Sequence, residues 1–191
     1  MSKKNKLFDG KSKTGIETPE DDKIILEFKD DALTKKGKAK GRGAANNQLS
    51  AFIFKYLDGY HVPNHFIEQK SDTSMLVKKA DMIGFTVTMH NVATGDLCKR
   101  LGFDEGEDLT TPVMEYYLKN ESLGSPMIND YHVYAKKLAT QQELQTLSKL
   151  ALKINAVLKS FFQRRNILLA GFQLEFGHFE DEIILADELS A

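Results

Sequence analysis

Ile167-Leu-Leu-Ala-Gly-Phe-Gln-Leu-Glu-Phe-Gly177, His178 to Glu182, and Ile183-Ile-Leu-Ala-Asp-Glu188 read as strand, turn and strand, a β-hairpin near the end of the chain. In the first arm Phe172, Leu174 and Phe176 alternate with Gln173 and Glu175, so one face is core and the other polar. In the second arm Ile183, Leu185 and Asp187 share a face. Acids set among apolar residues are partly desolvated, which is costly unless a cation or hydrogen bonds compensate them. Mg²⁺ with nucleotide phosphates compensates such a pair well. Two solvated edge carboxylates would give the same pattern.

Upstream of the hairpin, Gln141 to Phe162 places Leu144, Leu147, Ala151, Ile154, Leu158 and Phe161 at helical spacing, a core stripe rather than a cofactor box. Pro112 is expected to open a short helix through Lys119. Phe66 to Gln69, Ser74 to Lys79 and Met82 to Val92 read as strands, and Leu49, Phe52, Ile53, Tyr56 and Leu57 mark an amphipathic helix followed by Pro63. Lys6 to Ile16 and Lys23 to Lys29 read as two strands joined through Pro19 and Asp21-Asp22. Thr34 to Gly43, rich in Lys and Gly, reads as a loop, either a solvated linker or a phosphate-binding loop. The irregular element order, without a βαβ repeat, argues for an α+β fold. The expected division is a β-rich nucleotide-binding lobe, 1–83, and an α+β lobe, 84–191, carrying the hairpin.

At 191 residues the chain is long enough for a real core, in one domain or two small lobes. A formal net charge of −1 gives no general attraction to nucleic acid or an anionic membrane, so partners are inferred from sites. The single cysteine, Cys98, excludes an internal disulfide and a cysteine-rich metal site and reads as a buried small hydrophobe. No apolar run approaches the roughly 20 residues of a membrane span, and the polar start lacks a signal-peptide core, so a cytoplasmic protein is expected. His61 and His65 are four apart, but Pro63 stands between them, and His90, His132 and His178 show no ligand spacing; no zinc is expected. The basic Lys35 to Arg42 stretch has no interleaved aromatic residues for stacking nucleic-acid bases.

Gly10-Lys-Ser-Lys-Thr-Gly15 superficially suggests a Walker A motif, but no Lys follows its second glycine. Lys11 and Lys13, two apart on the strand Lys6 to Ile16, share a face, and both could address phosphate oxygens above a hairpin. Solvated lysines are the alternative. Taken in order, Phe8-Asp-Gly-Lys-Ser-Lys13, Asn46-Asn47, Leu76-Val-Lys-Lys-Ala-Asp-Met82, Asn91-Val-Ala-Thr-Gly95, Lys99-Arg-Leu-Gly102, Tyr117-Leu-Lys-Asn120, Pro126-Met-Ile-Asn129, Phe172-Gln-Leu-Glu-Phe-Gly177 and Asp187-Glu188 resemble the SAICAR synthetase family of purine biosynthesis.

That resemblance spans essentially the whole chain and implies an α+β enzyme with an ATP cleft between a β-rich lobe and an α+β lobe. The implied reaction uses ATP and Mg²⁺ to join L-aspartate to the carboxylate of carboxyaminoimidazole ribonucleotide, releasing ADP and phosphate. Carried onto matching positions, Lys11, Ser12 and Lys13 would contact the nucleotide phosphates, and Lys78 and Met82 would line the adenine and phosphate region. Glu175 and Asp187 would hold Mg²⁺, and Lys11, Glu175 and Asp187 are the implied catalytic residues. Lys79, by strand alternation, should face away from Lys78 and has no assigned role. The family also implies homodimers.

The second-substrate side departs from the family pattern. The segment R-N-x-x-A-G-S, which cradles the ribose phosphate, here reads His90-Asn-Val-Ala-Thr-Gly-Asp96. A bidentate arginine fork becomes an imidazole and a hydroxyl becomes a carboxylate. A phosphate held about 4 Å from Asp96 would meet a repulsion of about 4 kcal/mol at an effective dielectric near 20. Gln173 replaces a lysine, Gly171 and Ser125 replace acids, and a family arginine lies past the last residue, Ala191. His90, Asp96, Lys99, Arg100 and Gln173 are the positions expected to face the acceptor. Three functions stay open: SAICAR synthesis, a paralogous ATP-dependent enzyme with a non-phosphorylated acceptor, and nucleotide binding without ligation, with partner contacts made by Lys35 to Arg42.

Overall fold

The computed structural model describes residues 5–30, 33–34, 37–38 and 40–189. The chain divides into two compact units, Met1–Asp81 with Gly177–Ala191, and Met82–Phe176. The closing segment thus groups with the N-terminal residues, whereas the expected split kept 84–191 together. Backbone bonds make the tie: Asn64 and Leu185 form a parallel bridge, His65 N–H donates to Leu185 O and Leu185 N–H donates to Pro63 O, both at 2.9 Å.

The first unit is built on a five-stranded antiparallel sheet, in the order β1-β2-β3-β7-β6. Its strands are β1 (Lys6–Asp9), β2 (Lys13–Glu17), β3 (Lys23–Phe28), β6 (Phe66–Ser71) and β7 (Ser74–Lys78). Two-residue strands β4 (Leu33–Thr34) and β5 (Gly37–Lys38) pair with each other. Thr34 and β5 fall within the stretch read as a loop, Thr34 to Gly43; Lys35, Lys36 and Ala39 lie outside the described residues. Helix α1 (Arg42–Asp58) covers the sheet, packing Ala51 against Leu26, Phe28, Met75 and Val77. It starts well before the expected Leu49 because Asp30 accepts the Gly41 and Gly43 amides at 2.9 and 2.8 Å, satisfying donors that a helix start leaves open.

The second unit carries β8 (Asp81–Val92, its first residue in the first unit), β9 (Asp108–Leu118), β10 (Met127–Ile128) and β11 (Gly171–Phe179), in the order β10-β9-β8-β11. Its helices are α2 (Asp96–Leu101), α3 (Asp130–Ala135) and α4 (Gln141–Gln163). All six residues of the α4 stripe are buried. A capping box starts that helix: Thr140 Oγ1 accepts the Glu143 amide at 3.2 Å and Glu143 returns the bond to the Thr140 amide at 2.7 Å. Leu147 is fully buried, so truncation to Ala would cost about 2–5 kcal/mol.

β11 runs on through Gly177 into the first unit, where β12 (Glu182–Ala186) is its neighbour. The first arm starts at Gly171 rather than Ile167, which is exposed together with Leu168. β12 is buried on both faces from Ile183 to Ala186, so the alternation read there does not hold. Asp187 lies past its end with φ 65°, off the face it was expected to share with Ile183 and Leu185.

Pro112 lies inside β9, not at the start of a helix. β9 pairs with β8 from Phe85↔Leu118 to His90↔Val113, then slips so that Val92 meets Asp108. Pro112 stands in the bulged segment, where no ladder amide is required of it. The following Val113, Tyr116 and Tyr117 are β-branched and aromatic, as a strand prefers.

Candidate active site

In the first unit, Lys6 to Ile16 proves to be two strands folded back at Gly10 to Ser12, where Gly10 N–H donates to Lys13 O at 2.9 Å. The same-face argument for Lys11 and Lys13 therefore fails. Lys11 is exposed in the turn, Ser12 is half-buried beside it, and Lys13 opens β2 with its side chain buried. Lys29 ties the turn down: its amide donates to Ser12 O at 2.8 Å, and its ammonium donates to Gly10 O at 2.8 Å and pairs with Asp9. That lysine, with Thr14 and Lys6, holds the Asp9 carboxyl far below the usual range. Close backbone packing supports the same hairpin, since a Cβ on Gly15 would meet the Phe8 ring at 2.3 Å.

The Lys13 ammonium lies 2.8 Å from Asp187 Oδ2 and 3.7 Å from Glu188 Oε2. Glu188 Oε2 is buried and makes no hydrogen bond among the described residues. Asp187 in turn is bonded through its backbone by the imidazole of His65. Lys78 N–H donates to His65 O at 2.7 Å, and its half-buried side chain lies over the Phe179 ring, 5.2 Å from the centroid. Lys79 is exposed.

The second unit presents its own polar face. The pairing of Thr88 with Glu115 and of Thr86 with Tyr117 puts Thr86, Thr88 and His90 of β8 beside Glu115, Tyr117 and Lys119, opposite the face of Phe85, Val87, Met89, Tyr116 and Leu118. Glu115 is the centre of this face and is buried. Both its oxygens accept from Arg100 Nη2, at 2.8 and 2.9 Å, and Tyr117 OH donates to it at 2.8 Å. Burial alone would raise its carboxyl, but Arg100 and Tyr117 outweigh it and hold the group below the usual range. His90 Nε2 sits 3.3 Å from Glu115 Oε2 and is out of line for a hydrogen bond. Arg100 Nε also donates to Asp96 at 2.6 Å, and the two acids push the guanidinium well above its ordinary value.

Asp96 is therefore not the isolated negative charge expected from the sequence. It is half of a pair with Arg100, four residues on along α2, and the bare repulsion of a phosphate is correspondingly reduced. Lys99 is exposed on the last turn of the same helix, Gln173 and Met82 are exposed, and Glu175 is half-buried and ion-paired with Lys119. Gly171 packs against β8: a Cβ there would meet Met89 O at 2.7 Å, with His90 Nδ1 3.7 Å away. Glu115, Tyr117, Lys119 and His65 were missed. The first three alternate with period two, a signal hidden by the helix read from Pro112.

No group of three or more metal-binding side chains occurs among the described residues. Mg²⁺ needs no such cage when it is bound through one or two carboxylates and substrate phosphates. The oxygens of Asp187 and the unbonded Glu188 Oε2, gathered at one cation, are a donor set of the hard type that this ion takes.

Lys13 with Asp187 and Glu188 in the first unit, and Arg100 with Asp96 and Glu115 in the second, are charged clusters suited to binding charged small molecules. A SAICAR synthetase family model matches residues 6–191. The chain is 42% identical over 194 aligned positions to the phosphoribosylaminoimidazole-succinocarboxamide synthase of Thermoanaerobacter sp. (strain X514), covering all of this chain (100%) and 83% of that one. Against the synthase of Persephonella marina it is 43% identical, covering 100% of this chain and 82% of that one. A solved SAICAR synthetase in complex with ADP superposes with a TM-score of 0.91 at 40% identity, covering 96% of this chain and 80% of that one. The SAICAR synthetase of Pyrococcus horikoshii OT3 gives 0.88 at 40% identity, covering 94% and 80%. The chain belongs to the SAICAR synthetase family of ATP-dependent carbon–nitrogen ligases, and it is an enzyme of that class.

Proposed function

We propose that the chain binds ATP with Mg²⁺ and uses it to join L-aspartate to a carboxylate acceptor, carboxyaminoimidazole ribonucleotide in the family, releasing ADP and phosphate. The observation that carries this reading is Lys13, buried beneath the pinned Gly10–Ser12 turn and held on Asp187 and Glu188. A lysine buried at the foot of a turn that presents another lysine and a serine is suited to phosphate oxygens. The ADP complex of a 40% identical relative supports it.

A carboxylate is a poor electrophile. The acceptor carboxylate oxygen attacks the γ-phosphorus, the bond to ADP breaks, and the amine of aspartate then displaces phosphate to form the amide. The protein's part is to position and to neutralise charge. Lys11, Ser12 and Lys13 hold phosphate oxygens, and Lys78 and Met82 serve the adenine and phosphate region. Asp187, with Glu188 beside it at Lys13, is the set that would hold Mg²⁺, which would supply charge neutralisation at the phosphates when bound.

A second reading, a non-phosphorylated acceptor, is favoured by one observation. Arg100 is engaged by Asp96 and Glu115 together, and the neighbouring position carries His90 rather than a second guanidinium. Calorimetry tests the nucleotide half directly. ADP should bind, more tightly with Mg²⁺ than without, and Lys13→Ala should weaken binding about tenfold or more, as loss of a charged hydrogen bond does. No binding of any adenine nucleotide would refute the reading.

A further inference from the structure

We infer that His65 and Ser50 are positioning residues that fasten the acidic elbow Asp187-Glu188 from its two sides, a role that rests on the metal-binding reading of Asp187. The elbow needs fastening because Asp187 has φ 65°, a conformation unfavourable for a residue with a Cβ unless its surroundings impose it. On one side the His65 amide donates to Leu185 O at 2.9 Å, the Leu185 amide donates to Pro63 O at 2.9 Å, and the His65 ring bonds the Asp187 backbone. On the other side Ser50 Oγ donates to Leu189 O at 3.1 Å and accepts the Leu189 amide at the same distance. Ser50 is fully buried and His65 is 3% exposed, packed edge-on to Phe54 with ring centroids 4.9 Å apart.

Two groups so buried seldom survive in a core without polar partners; that of His65 is the backbone of Asp187 and that of Ser50 the backbone of Leu189, next to Glu188. The His65 ring reaches the Asp187 backbone through one of its two nitrogens. Nε2 has no partner among the described residues, which leaves Nδ1 as the donor to Asp187. The arrangement has the form of a support behind a metal ligand, whose loss ordinarily lowers metal affinity 10- to 100-fold, in round figures about tenfold or more.

The test uses His65→Leu, which removes the donor at similar bulk, His65→Asn, whose amide reaches the Nδ1 position, and Ser50→Ala, each checked for folding by circular dichroism. Amide exchange over residues 185–189 is read first. His65→Leu should speed it about tenfold with the rest of the chain unchanged, Ser50→Ala should do so at Leu189, and His65→Asn should restore it. Unchanged exchange in both loss variants overturns the inference. ADP calorimetry is read second: His65→Leu should weaken the Mg²⁺-dependent part about tenfold and leave metal-free ADP binding within twofold. Equal loss in both conditions overturns the positioning role. If the parent shows no Mg²⁺ dependence, the metal reading of Asp187 fails, and the exchange data alone then decide whether His65 and Ser50 hold the elbow.

Discussion

Lys13 and Asp187 stand 174 positions apart in the chain and meet at 2.8 Å, joining the first hairpin to the residue just past β12. Their side chains are 9% and 26% exposed, so each charge depends on the other more than a surface pair would. Lys13→Met should destabilise the protein by about 2–4 kcal/mol, because a half-desolvated carboxylate is left behind. The double variant Lys13→Met, Asp187→Asn should recover part of that loss. Urea unfolding of the parent, both single variants and the double variant gives the coupling.

Arg100 and Glu115 form the corresponding pair in the second unit, with the carboxylate the more deeply buried partner. Arg100→Ala should cost about 2–4 kcal/mol, and Arg100→Lys should fail to restore it because an ammonium cannot make the fork. The pH dependence has a fixed sign. The folded-state value of Glu115 lies below its ordinary 4.5, so its stabilisation is present above about that pH and is lost as pH falls through the depressed value. In Arg100→Ala burial raises the carboxyl instead. The stability gap between parent and variant should therefore narrow as pH falls from the variant's raised value, above 4.5, through the parent's depressed one, measured by denaturant unfolding across pH 3 to 7.

Gly171→Asp, which would restore an acid where the family pattern has one, should be poorly tolerated. The added Cβ would fall 2.7 Å from the Met89 carbonyl oxygen, a backbone atom that cannot swing aside. An overpacking cost of about 1–3 kcal/mol is expected, read as a lowered midpoint in thermal or urea unfolding. An unchanged midpoint would show that β8 and β11 can separate locally.

His90→Arg with Asp96→Ser tests the acceptor side. Asp96 is 72% exposed and paired with Arg100, so removing it yields far less than the bare like-charge figure. Affinity for the ribonucleotide should rise about tenfold, equivalent to about 1.4 kcal/mol, by calorimetry. No gain would show that these two positions do not gate the phosphate.

The periodic elements were legible and the pairings between distant residues were not. The α4 stripe repeats over 23 residues and each of its apolar positions is buried, since a long amphipathic pattern has one way to hide its face. Pro112 misled because local propensity places proline at a helix start, whereas here a bulge in β9 accommodates it. Taking Glu115 to Lys119 as helix concealed the residue at the centre of the second polar face. Lys11 and Lys13 were assigned to one strand because nothing local shows that Lys29 ties the intervening turn. Asp96 reads as a repulsive charge only if its i,i+4 spacing to Arg100, a signal present in the sequence, is passed over. His65 read as a negative for zinc, and its actual contact, the Asp187 backbone, has no sequence signature.

ATP-dependent ligation is the activity on which the proposed function stands. Its direct measurement is turnover by the purified protein of Mg-ATP and L-aspartate, with and without carboxyaminoimidazole ribonucleotide, following ADP by coupled assay and the succinocarboxamide product by mass. ADP release that requires both aspartate and an acceptor, with one amide formed per ADP, is the expected result; product from the ribonucleotide itself would also remove the case for a non-phosphorylated acceptor. ADP release independent of aspartate and of every carboxylate acceptor tried, or no release at all, would show that the chain does not couple ATP to amide formation.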